Sequence, residues 1–382
     1  MFRAEEIAIL CSEEFRASVE ENIGRSATDI ALDRRIPHAS LVATEVKNLQ
    51  KARTKLPSYF TARAIMPTLA YEQSSSEECA ERKELSGKSV LDLTCGLGVD
   101  SLALSKRFER VVTIERNEIV AEVARENFRR LGASNIEVVC SSAEEYLATC
   151  TDHFDWCFSD PDRRGERGEK LVRLEDCSPN VVALMPTLQR IADKVCIKCS
   201  PLFDVDEAFR LFGNCTVETV SLGGEAKEVN IYIDGSAPRL RAVAIGLGEV
   251  SASVEERNSA RWSAVASDLS QYRYITLPDV ALQHSRMVAV AFDSKSDVWS
   301  SNGVALSIEK PEGSLGRTFE VEEIYEVNSA FKRVMKGRKA EIYRRDFPLS
   351  NADICKRYRC SEGGRERWCF TRIGENFIAI KF

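Results

Sequence analysis

Between residues 88 and 234, short apolar runs alternate with stretches whose apolar residues recur at helical spacing. Strands separated by helices are typical of a parallel sheet with crossover helices on both faces, and the last two runs predict a closing hairpin. The pattern therefore predicts an α/β domain with a doubly wound, seven-stranded sheet. The seven runs are SVLDLTC, RVVTIE, IEVVC, FDWCFSD, KVCIKCS, CTVETVSL and VNIYID.

The regions on either side of this domain have other patterns. The N-terminal region is helical in periodicity and is interrupted by Pro37, Pro57 and Pro67. After Gly246 the alternation is lost, and the runs RYITLP, MVAVAFD and ALSIE predict short strands of a smaller α+β region, with a turn-rich boundary in EKPEGSLG. We therefore expect an N-terminal helical extension, an α/β domain, an α+β module and a C-terminal domain, at residues 1–85, 86–246, 247–315 and 316–382.

Composition indicates a globular protein. Apolar residues make up 44% of the chain and charged residues 29%, and no apolar run approaches the roughly 18 residues that a membrane helix needs. The first residues lack the basic start and cleavage site of a secretory signal, so we expect a cytoplasmic protein with no membrane segment. The net charge of the chain is −6, but the charged residues are unevenly distributed. Residues 331–382 contain 14 Lys/Arg and 6 Asp/Glu, so the C-terminal region is basic.

The thirteen cysteines do not form a recognisable framework. In a cytosolic protein this pattern predicts reduced, mostly buried thiols and no structural disulfide. CIKC at 196–199 has a metal-ligand spacing, but it has no second pair and lies in a predicted strand, where its two thiols point to opposite faces. We therefore predict no metal site.

A glycine turn follows the first predicted strand. In VLDLTCGLG, Asp92 and Thr94 precede Gly96 and Gly98, and a helix is predicted to open at Asp100. Glycines let backbone amides approach a ligand closely, and a helix N-terminus favours a carboxylate. Each of these five residues is a candidate cofactor contact.

An acid completes the cofactor pattern. Glu115 ends the next strand, where a carboxylate can accept hydrogen bonds from both ribose hydroxyls of a nucleoside. Because the third glycine of the dinucleotide fingerprint is missing, the pattern favours S-adenosylmethionine over NAD in this Rossmann-type domain. After the third strand, where an acid often faces the adenine amine, the chain offers only Ser142 as a candidate and then Glu144, which is expected in solvent.

The candidate reaction site follows the fourth strand. Asp160, Pro161, Arg163 and Arg164 lie at the strand's carboxyl end, where ligands of α/β proteins bind. The Asp160 carboxylate and the Pro161 carbonyl can accept hydrogen bonds from an amine and orient its lone pair toward a methyl donor. The two arginines are candidate substrate ligands for a phosphate or a base, and surface ion pairs with Asp162 or Glu166 are the alternative.

Two further segments are candidate parts of the site. Glu225 and Lys227 lie in a glycine-flanked charged segment, GGEAKE, which predicts either a substrate contact or an ordinary turn. Cys199 ends the fifth strand, where a thiolate can attack C6 of a pyrimidine. A buried structural thiol is the favoured interpretation, because no activating partner is visible in the sequence.

Eight segments resemble a bacterial family of class I methyltransferases that carry a THUMP-like C-terminal domain, some with a ferredoxin-like module between. The resemblance spans most of the chain. It implies a cofactor pocket at the glycine turn and Glu115, bordered by the 72–77 segment, and a substrate edge at DPDRR. DPDRR is similar to the D-P-P-Y/R loops of nucleic-acid methyltransferases, but Asp162 replaces the second proline. The segments are KLPSYF (55–60), EQSSSE (72–77), DLTCGLGVD (92–100), DPDRR (160–164), KCSPLFD (198–204), EAKEV (225–229), KAEIYRRDFPLS (339–350) and GGRERWCFTR (363–372).

THUMP domains resemble RNA-binding modules, and the matching region here is the basic C-terminal one. We predict that it binds RNA through Arg344, Arg345 and neighbouring basic residues, with Tyr343, Tyr358 and Trp368 available to stack on bases. A solvated basic face over core aromatics is the alternative. The leading hypothesis is a methyltransferase acting on a base, through an amine, in tRNA or rRNA. C5-uracil methylation through Cys199, a small-molecule or protein methyltransferase, and a non-catalytic RNA-binding protein remain open.

Overall fold

The protein is described from a computed structural model that covers residues 4–163, 173–266, 268–292 and 296–382. The chain forms two compact units. The first contains residues 1–199 and 231–235, and the second contains residues 200–230 and 236–382.

The first unit begins with the predicted helical region. Ser12, Ser26 and Ser76 cap three of its helices, each accepting a hydrogen bond from a backbone N–H in the first turn. Pro57 is the first residue of a helix, a position where its missing N–H removes no helical hydrogen bond. The helices are α1 (Ala4–Leu10), α2 (Glu13–Asn22), α3 (Ala27–Leu32), α4 (Ala39–Lys55), α5 (Pro57–Ala62), α6 (Thr68–Gln73) and α7 (Glu77–Arg82).

Five parallel strands follow in the spatial order β3-β2-β1-β4-β5. Because parallel strands end at one edge of the sheet, the ends of β1, β2, β4 and β5 lie along one side. The elements are β1 (Gly87–Asp92), α8 (Val99–Ser105), β2 (Phe108–Glu115), α9 (Glu118–Leu131), β3 (Ile136–Cys140), α10 (Ala143–Thr149), β4 (Phe154–Ser159), a 3-10 helix (Leu174–Asp176), α11 (Val181–Ile191) and β5 (Ala192–Cys199).

One core joins the N-terminal helices to the sheet of the first unit. Fully buried residues of α4 and α5, among them Leu49 and Tyr59, form one cluster with Leu97 of the glycine turn and Phe128 of α9. The Tyr59 hydroxyl also donates to the Leu97 carbonyl at 3.2 Å. The helical extension is therefore part of the same folded unit as the glycine turn.

The second unit contains the last predicted strands and two more. Its strands follow the order β7-β6-β8-β9; β6 and β8 are parallel, whereas β8 and β9 form an antiparallel hairpin. The expected domain boundary at residue 246 lies in the turn of this hairpin. The elements are α12 (Val205–Phe212), β6 (Thr216–Leu222), β7 (Glu225–Ile233), β8 (Arg239–Ala244), β9 (Gly248–Ser253) and α13 (Val254–Ser259).

A four-stranded antiparallel sheet of order β11-β12-β10-β13 comes next. The expectation of a strand at MVAVAFD is wrong, because Val288–Ala291 is a short helix with Val288 and Ala289 buried. A short apolar run is compatible with either structure when it is fully buried. The elements are a 3-10 helix (Leu269–Gln271), β10 (Tyr274–Pro278), α14 (Val280–His284), α15 (Val288–Ala291), β11 (Asp297–Val298), β12 (Ala305–Ser307) and β13 (Gly316–Glu320).

The chain ends in a five-stranded sheet of order β14-β18-β17-β15-β16. Tyr358 and Trp368 lie in its core against Phe331 and Phe370, so the expectation that these two rings stack on bases is wrong. Across the described ranges, no helix is both long and apolar enough to cross a membrane. The elements are β14 (Glu323–Glu326), α16 (Phe331–Met335), β15 (Lys339–Arg344), α17 (Asn351–Tyr358), β16 (Ser361–Glu362), β17 (Glu366–Ile373) and β18 (Asn376–Lys381).

Candidate active site

The glycine turn is held from below by Asp92, the last residue of β1. This side chain is fully buried and accepts hydrogen bonds from the Thr94 backbone N–H at 2.9 Å, from the Ser101 hydroxyl and from the Thr113 hydroxyl at 3.1 Å. Burial raises the pKa of Asp92 to about 6. We expected Asp92 to contact the cofactor, but its carboxylate faces the protein interior, so it positions the turn instead.

The two glycines of the turn are required for different reasons. Gly96 has φ of +54° with open space where a side chain would project. Gly98 has φ of +87°, and a Cβ there would lie 2.5 Å from Cζ of Phe128. Both conformations favour glycine. The open side of Gly96 is suited to a ligand, whereas Gly98 allows close packing on α9.

Glu115 ends β2 beside the same turn. One carboxylate oxygen accepts from the Gly96 N–H at 2.9 Å and the other from the Asn117 N–H at 2.8 Å. A carboxylate has about four acceptor positions, so these two hydrogen bonds orient the group and leave it able to accept two hydroxyls. The side chain is half-buried, which suits the ribose contact expected from the sequence.

A hydroxyl joins the glycine turn to the candidate reaction site. Thr94 Oγ1 accepts a hydrogen bond from the backbone N–H of Asp160 at 2.7 Å and lies 3.3 Å from Asp92 Oδ1, to which it donates. Thr94 thus fixes the distance between the ends of β1 and β4. The sequence identified both residues, although not their connection.

Asp160 belongs to a charge network that sequence reasoning missed. The ammonium group of Lys198, on β5, donates to the Asp160 carboxylate, to the Ser75 hydroxyl at 2.8 Å and to Asp100 Oδ2 at 3.5 Å. Lys83, whose side chain is only 2% exposed, donates to the other oxygen of Asp100 at 2.8 Å. The signal in the sequence was a lysine inside the otherwise apolar run KVCIKCS.

Asp100 is therefore occupied by protein groups, although we expected it to contact the cofactor. Ser75 donates to its Oδ2 at 2.8 Å, in addition to the two lysines. Burial acts to raise the pKa of Asp100, but Lys198 and Lys83 outweigh it and hold the pKa well below its usual range. Asp100 is the anionic centre of the network, and Ser75 brings the 72–77 segment beside the glycine turn.

The two carboxylates of the network differ in protonation behaviour. Loss of solvation raises the pKa of Asp160, and the attraction of Lys198 offsets this only in part. Its side chain is 35% exposed, against 13% for Asp100. Asp160 is thus the more accessible of the two and the one more readily protonated.

The segment after Asp160 leaves the sheet through a buried proline. Pro161 is buried, and Asp162 exchanges backbone hydrogen bonds of 2.8 and 3.1 Å with Ser178. Arg163 is exposed. Arg164, also predicted to bind substrate, lies outside the described residues, as does Glu166.

Ser142 has a local role that the sequence did not reveal. Its hydroxyl accepts from the Glu145 backbone N–H at 3.2 Å and donates to the Glu145 carboxylate at 2.8 Å, forming a capping box at the start of α10. The predicted contact of Ser142 with a cofactor therefore competes with a hydrogen bond that stabilises this helix. Glu144 is exposed, as expected.

The cysteines at this edge are buried. Cys196 and Cys199 both lie in the interior, and all thirteen cysteines of the protein are free thiols. Burial raises the pKa of the Cys199 thiol far above its usual range, and Asp160 adds to the effect. This environment agrees with the interpretation of Cys199 as a buried structural thiol.

The remaining predicted substrate residues belong to the second unit. Glu225 and Lys227 are exposed at the start of β7 and pair with each other at 2.7 Å, as charged residues of an ordinary surface strand do. Arg344 and Arg345 follow one another at the end of β15, where Arg344 is exposed and Arg345 half-buried. Both residues line a cavity in the second unit.

Two family models match the chain. A methyltransferase domain matches residues 84–236, and a THUMP-like domain matches residues 316–380. The first match contains the glycine turn, Glu115, Asp160 and Lys198. The second contains Arg344 and Arg345.

Several proteins that are similar to this chain are described as methyltransferases. A crystal structure of a protein of Porphyromonas gingivalis W83, classed as a methyltransferase, is 25% identical and matches 100% of this chain and 98% of its own with a TM-score of 0.83. An uncharacterized S-adenosylmethionine-dependent methyltransferase of Mycobacterium tuberculosis is 28% identical over 47% of this chain and 49% of its own. A 23S rRNA uracil-C5-methyltransferase of Alkalilimnicola ehrlichii is 33% identical over 25% of this chain and 24% of its own. The chain thus spans about half the length, or less, of these curated relatives.

Proposed function

We propose that the chain is a class I S-adenosylmethionine-dependent methyltransferase with a THUMP-like C-terminal domain, and that it methylates a base of RNA. The observation that carries the proposal is the hydrogen bond between Thr94 and the Asp160 backbone. It fixes the backbone of Asp160, whose carboxylate is 35% exposed, next to the glycine turn, an arrangement suited to methyl transfer to an oriented nucleophile.

The residues at the ends of β1 and β2 fit the cofactor. Glu115 retains acceptor capacity for two ribose hydroxyls, and the open side of Gly96 admits a close ligand. When bound, S-adenosylmethionine supplies an electrophilic methyl group on a sulfonium. Asp92 and Thr94 contribute by holding the turn in shape.

We assign the orientation of the nucleophile to Asp160 and Pro161. The Asp160 carboxylate accepts a hydrogen bond from an exocyclic amine, the Pro161 carbonyl accepts a second, and the amine lone pair is thereby aimed at the methyl donor. Lys198 holds the carboxylate in place from β5. Arg163 and Arg164 remain predicted substrate ligands, and Glu225 and Lys227 remain weaker candidates.

Amine methylation is favoured over C5-uracil methylation by the state of Cys199. A C5 enzyme needs a thiolate that can attack the pyrimidine ring. Cys199 is 6% exposed and its pKa is raised, so the thiolate is strongly disfavoured. The A. ehrlichii relative acts on a uracil C5, and its match supports RNA as the substrate class rather than this chemistry.

RNA is proposed as the substrate on two grounds. The C-terminal region is strongly basic within an acidic chain, and a polyanion is the partner that such a surface attracts. The THUMP-like match covers the same region. We propose tRNA or rRNA as the class of RNA.

The test is transfer of labelled methyl from S-adenosylmethionine to total RNA from cells that lack the protein. We expect one labelled RNA species with wild type, and at least about tenfold less label with Asp160→Asn, since the amide keeps the shape but loses one acceptor. Cys199→Ala is the matched control and is expected to label like wild type. Cofactor binding without any RNA label would indicate a small-molecule or protein substrate or a non-catalytic role, and unchanged label in Asp160→Asn would remove Asp160 from the mechanism.

A further inference from the structure

A cavity of about 500 Å³ lies in the second unit. Its walls come from two stretches of sequence. Gln283 and Asn302 lie in the predicted α+β module, whereas Arg344, Arg345, Arg372 and Phe377 lie in the THUMP-like domain. The two regions therefore build one cavity together.

The cavity carries excess positive charge. Of its charged side chains three are arginines, and the single carboxylate is Asp346. Asp346 pairs with Arg372 at 3.2 Å and accepts from Ser300 at 2.7 Å. The guanidinium groups of Arg344 and Arg345 donate to backbone carbonyls, of Leu349 at 3.3 Å and of Arg344 at 3.2 Å. Neither forms an ion pair with a carboxylate in the described part of the chain, which leaves both available to bind an anion.

Two donors in the cavity wall lack a protein partner. The Nε–H of Arg345 and the Nε2 amide of Gln283 are buried, and within the described ranges neither has a hydrogen-bond acceptor. Buried donors are almost always satisfied, and a bound acceptor is a common explanation when the protein offers none. Both residues line the same cavity, so an anionic ligand bound there lies next to both side chains.

An aromatic ring lies at the same cavity. Phe377 is 38% exposed, although it is a large apolar side chain, and its inner edge packs on Phe347 with ring centroids 5.2 Å apart. Phe347 therefore fixes the orientation of the Phe377 ring while one part of it stays accessible. An exposed ring next to unpaired guanidinium groups suits a ligand that has both a phosphate and an aromatic base.

We propose that this cavity binds a nucleotide of single-stranded RNA, with the phosphodiester at Arg344 and Arg345 and the adjacent base against Phe377. RNA as the ligand class rests on the proposed function. A polynucleotide fits better than a free nucleotide, because the basic residues extend through the whole C-terminal region and attract a polyanion. Its lining residues are other than those assigned to methyl transfer, so we assign this cavity RNA binding and not catalysis.

Binding of a fluorescent, short single-stranded RNA to the full-length protein tests the proposal by anisotropy, without cofactor. We expect Arg345→Gln and Phe377→Ala each to weaken binding about tenfold. Arg345→Gln should also make the salt dependence shallower by about 0.7 in log–log slope, because one phosphate contact is lost. Thermal melting checks that each variant is folded, and Phe377→Ala keeps the test valid if Arg345→Gln is unstable.

Matched controls separate the cavity from general charge. Arg365→Gln removes an exposed arginine of the same domain that does not line the cavity, and Trp262→Ala removes an exposed aromatic ring elsewhere in the unit. Both are expected to weaken binding far less than the cavity variants do. Equal losses in cavity and control variants, or no loss in the cavity variants, would overturn the site. Competition by adenosine monophosphate as strong as by unlabelled RNA would overturn the RNA assignment in favour of a free nucleotide.

The result is independent of methyl transfer. RNA binding that depends on Arg345 and Phe377 supports the cavity even if no label is transferred, in which case the catalytic proposal fails alone. If wild type labels RNA but the cavity variants bind RNA as tightly as wild type, the proposed function stands and the cavity proposal fails.

Discussion

Thr94 Oγ1 accepts a 2.7 Å hydrogen bond from the backbone N–H of Asp160, although the two residues are 66 positions apart. The same hydroxyl donates to Asp92, so its only proton is directed inward and its lone pair toward Asp160. This bond makes the shape of the glycine turn and the position of Asp160, the proposed reaction carboxylate, depend on one side chain.

Thr94→Val is therefore expected to impair methyl transfer through geometry. The valine methyl group leaves the Asp160 N–H without an acceptor, which typically costs about 1–3 kcal/mol. We expect a clear drop in the maximal rate in a labelled-methyl assay, with a smaller effect on cofactor affinity measured by calorimetry. Thr94→Ser keeps the hydroxyl and should retain most of the rate. A serine variant as impaired as the valine variant would show that the hydrogen bond is not the important feature.

Removing the central lysine is expected to destabilise the fold. Lys198→Met leaves the Asp100 and Asp160 carboxylates without their shared cation, and breaking a buried ion pair from one side costs about 3–5 kcal/mol. Urea unfolding measures the loss. Lys194→Met removes an exposed lysine from the same strand and should cost no more than about 1 kcal/mol. Similar midpoints for the two variants would contradict the importance of the network.

The sheet was predictable because its signal is local. Each strand of the first unit is a short apolar run, and the glycine turn and Glu115 are recognisable from residue types and spacing alone. The Lys198–Asp100 contact was not predictable, since its partners lie 98 residues apart and nothing near either one indicates the other. Burial of Trp368 was only the alternative prediction, because an aromatic residue among arginines fits a core and a surface equally well.

Glu45 predicts a pH dependence of stability. It is buried, accepts from the Met66 N–H at 2.9 Å, and has one oxygen without a hydrogen-bond donor among the described residues. Burial raises the pKa of Glu45 from 4.5 to about 8. Between these values the carboxyl is protonated in the folded state and ionised in the unfolded state, so unfolding releases a proton and rising pH favours unfolding.

Glu45→Gln removes this effect, since the amide does not titrate. The variant should gain stability over wild type as pH rises from 5 to 8, by up to roughly 1.4 kcal/mol for each pH unit. Urea unfolding at several pH values measures the difference. Glu14→Gln changes an exposed glutamate and should follow wild type throughout. A stability difference that does not vary with pH would show that Glu45 is ionised in the folded protein.

Gly96 and Gly98 allow stability to be separated from cofactor binding at one turn. Alanine at either position must adopt a positive φ, which costs about 1–2 kcal/mol. Gly98→Ala in addition places its methyl group into the ring of Phe128, so it should lose clearly more stability than Gly96→Ala.

A methyl group at position 96 meets no protein atom within 4 Å and projects where the ligand is proposed to lie. Gly96→Ala should therefore lose more affinity for S-adenosylmethionine than its modest destabilisation explains, as calorimetry on the folded variant would measure. Normal affinity in Gly96→Ala would place the cofactor elsewhere along the edge, because a ligand resting on this turn cannot share the space with a methyl group.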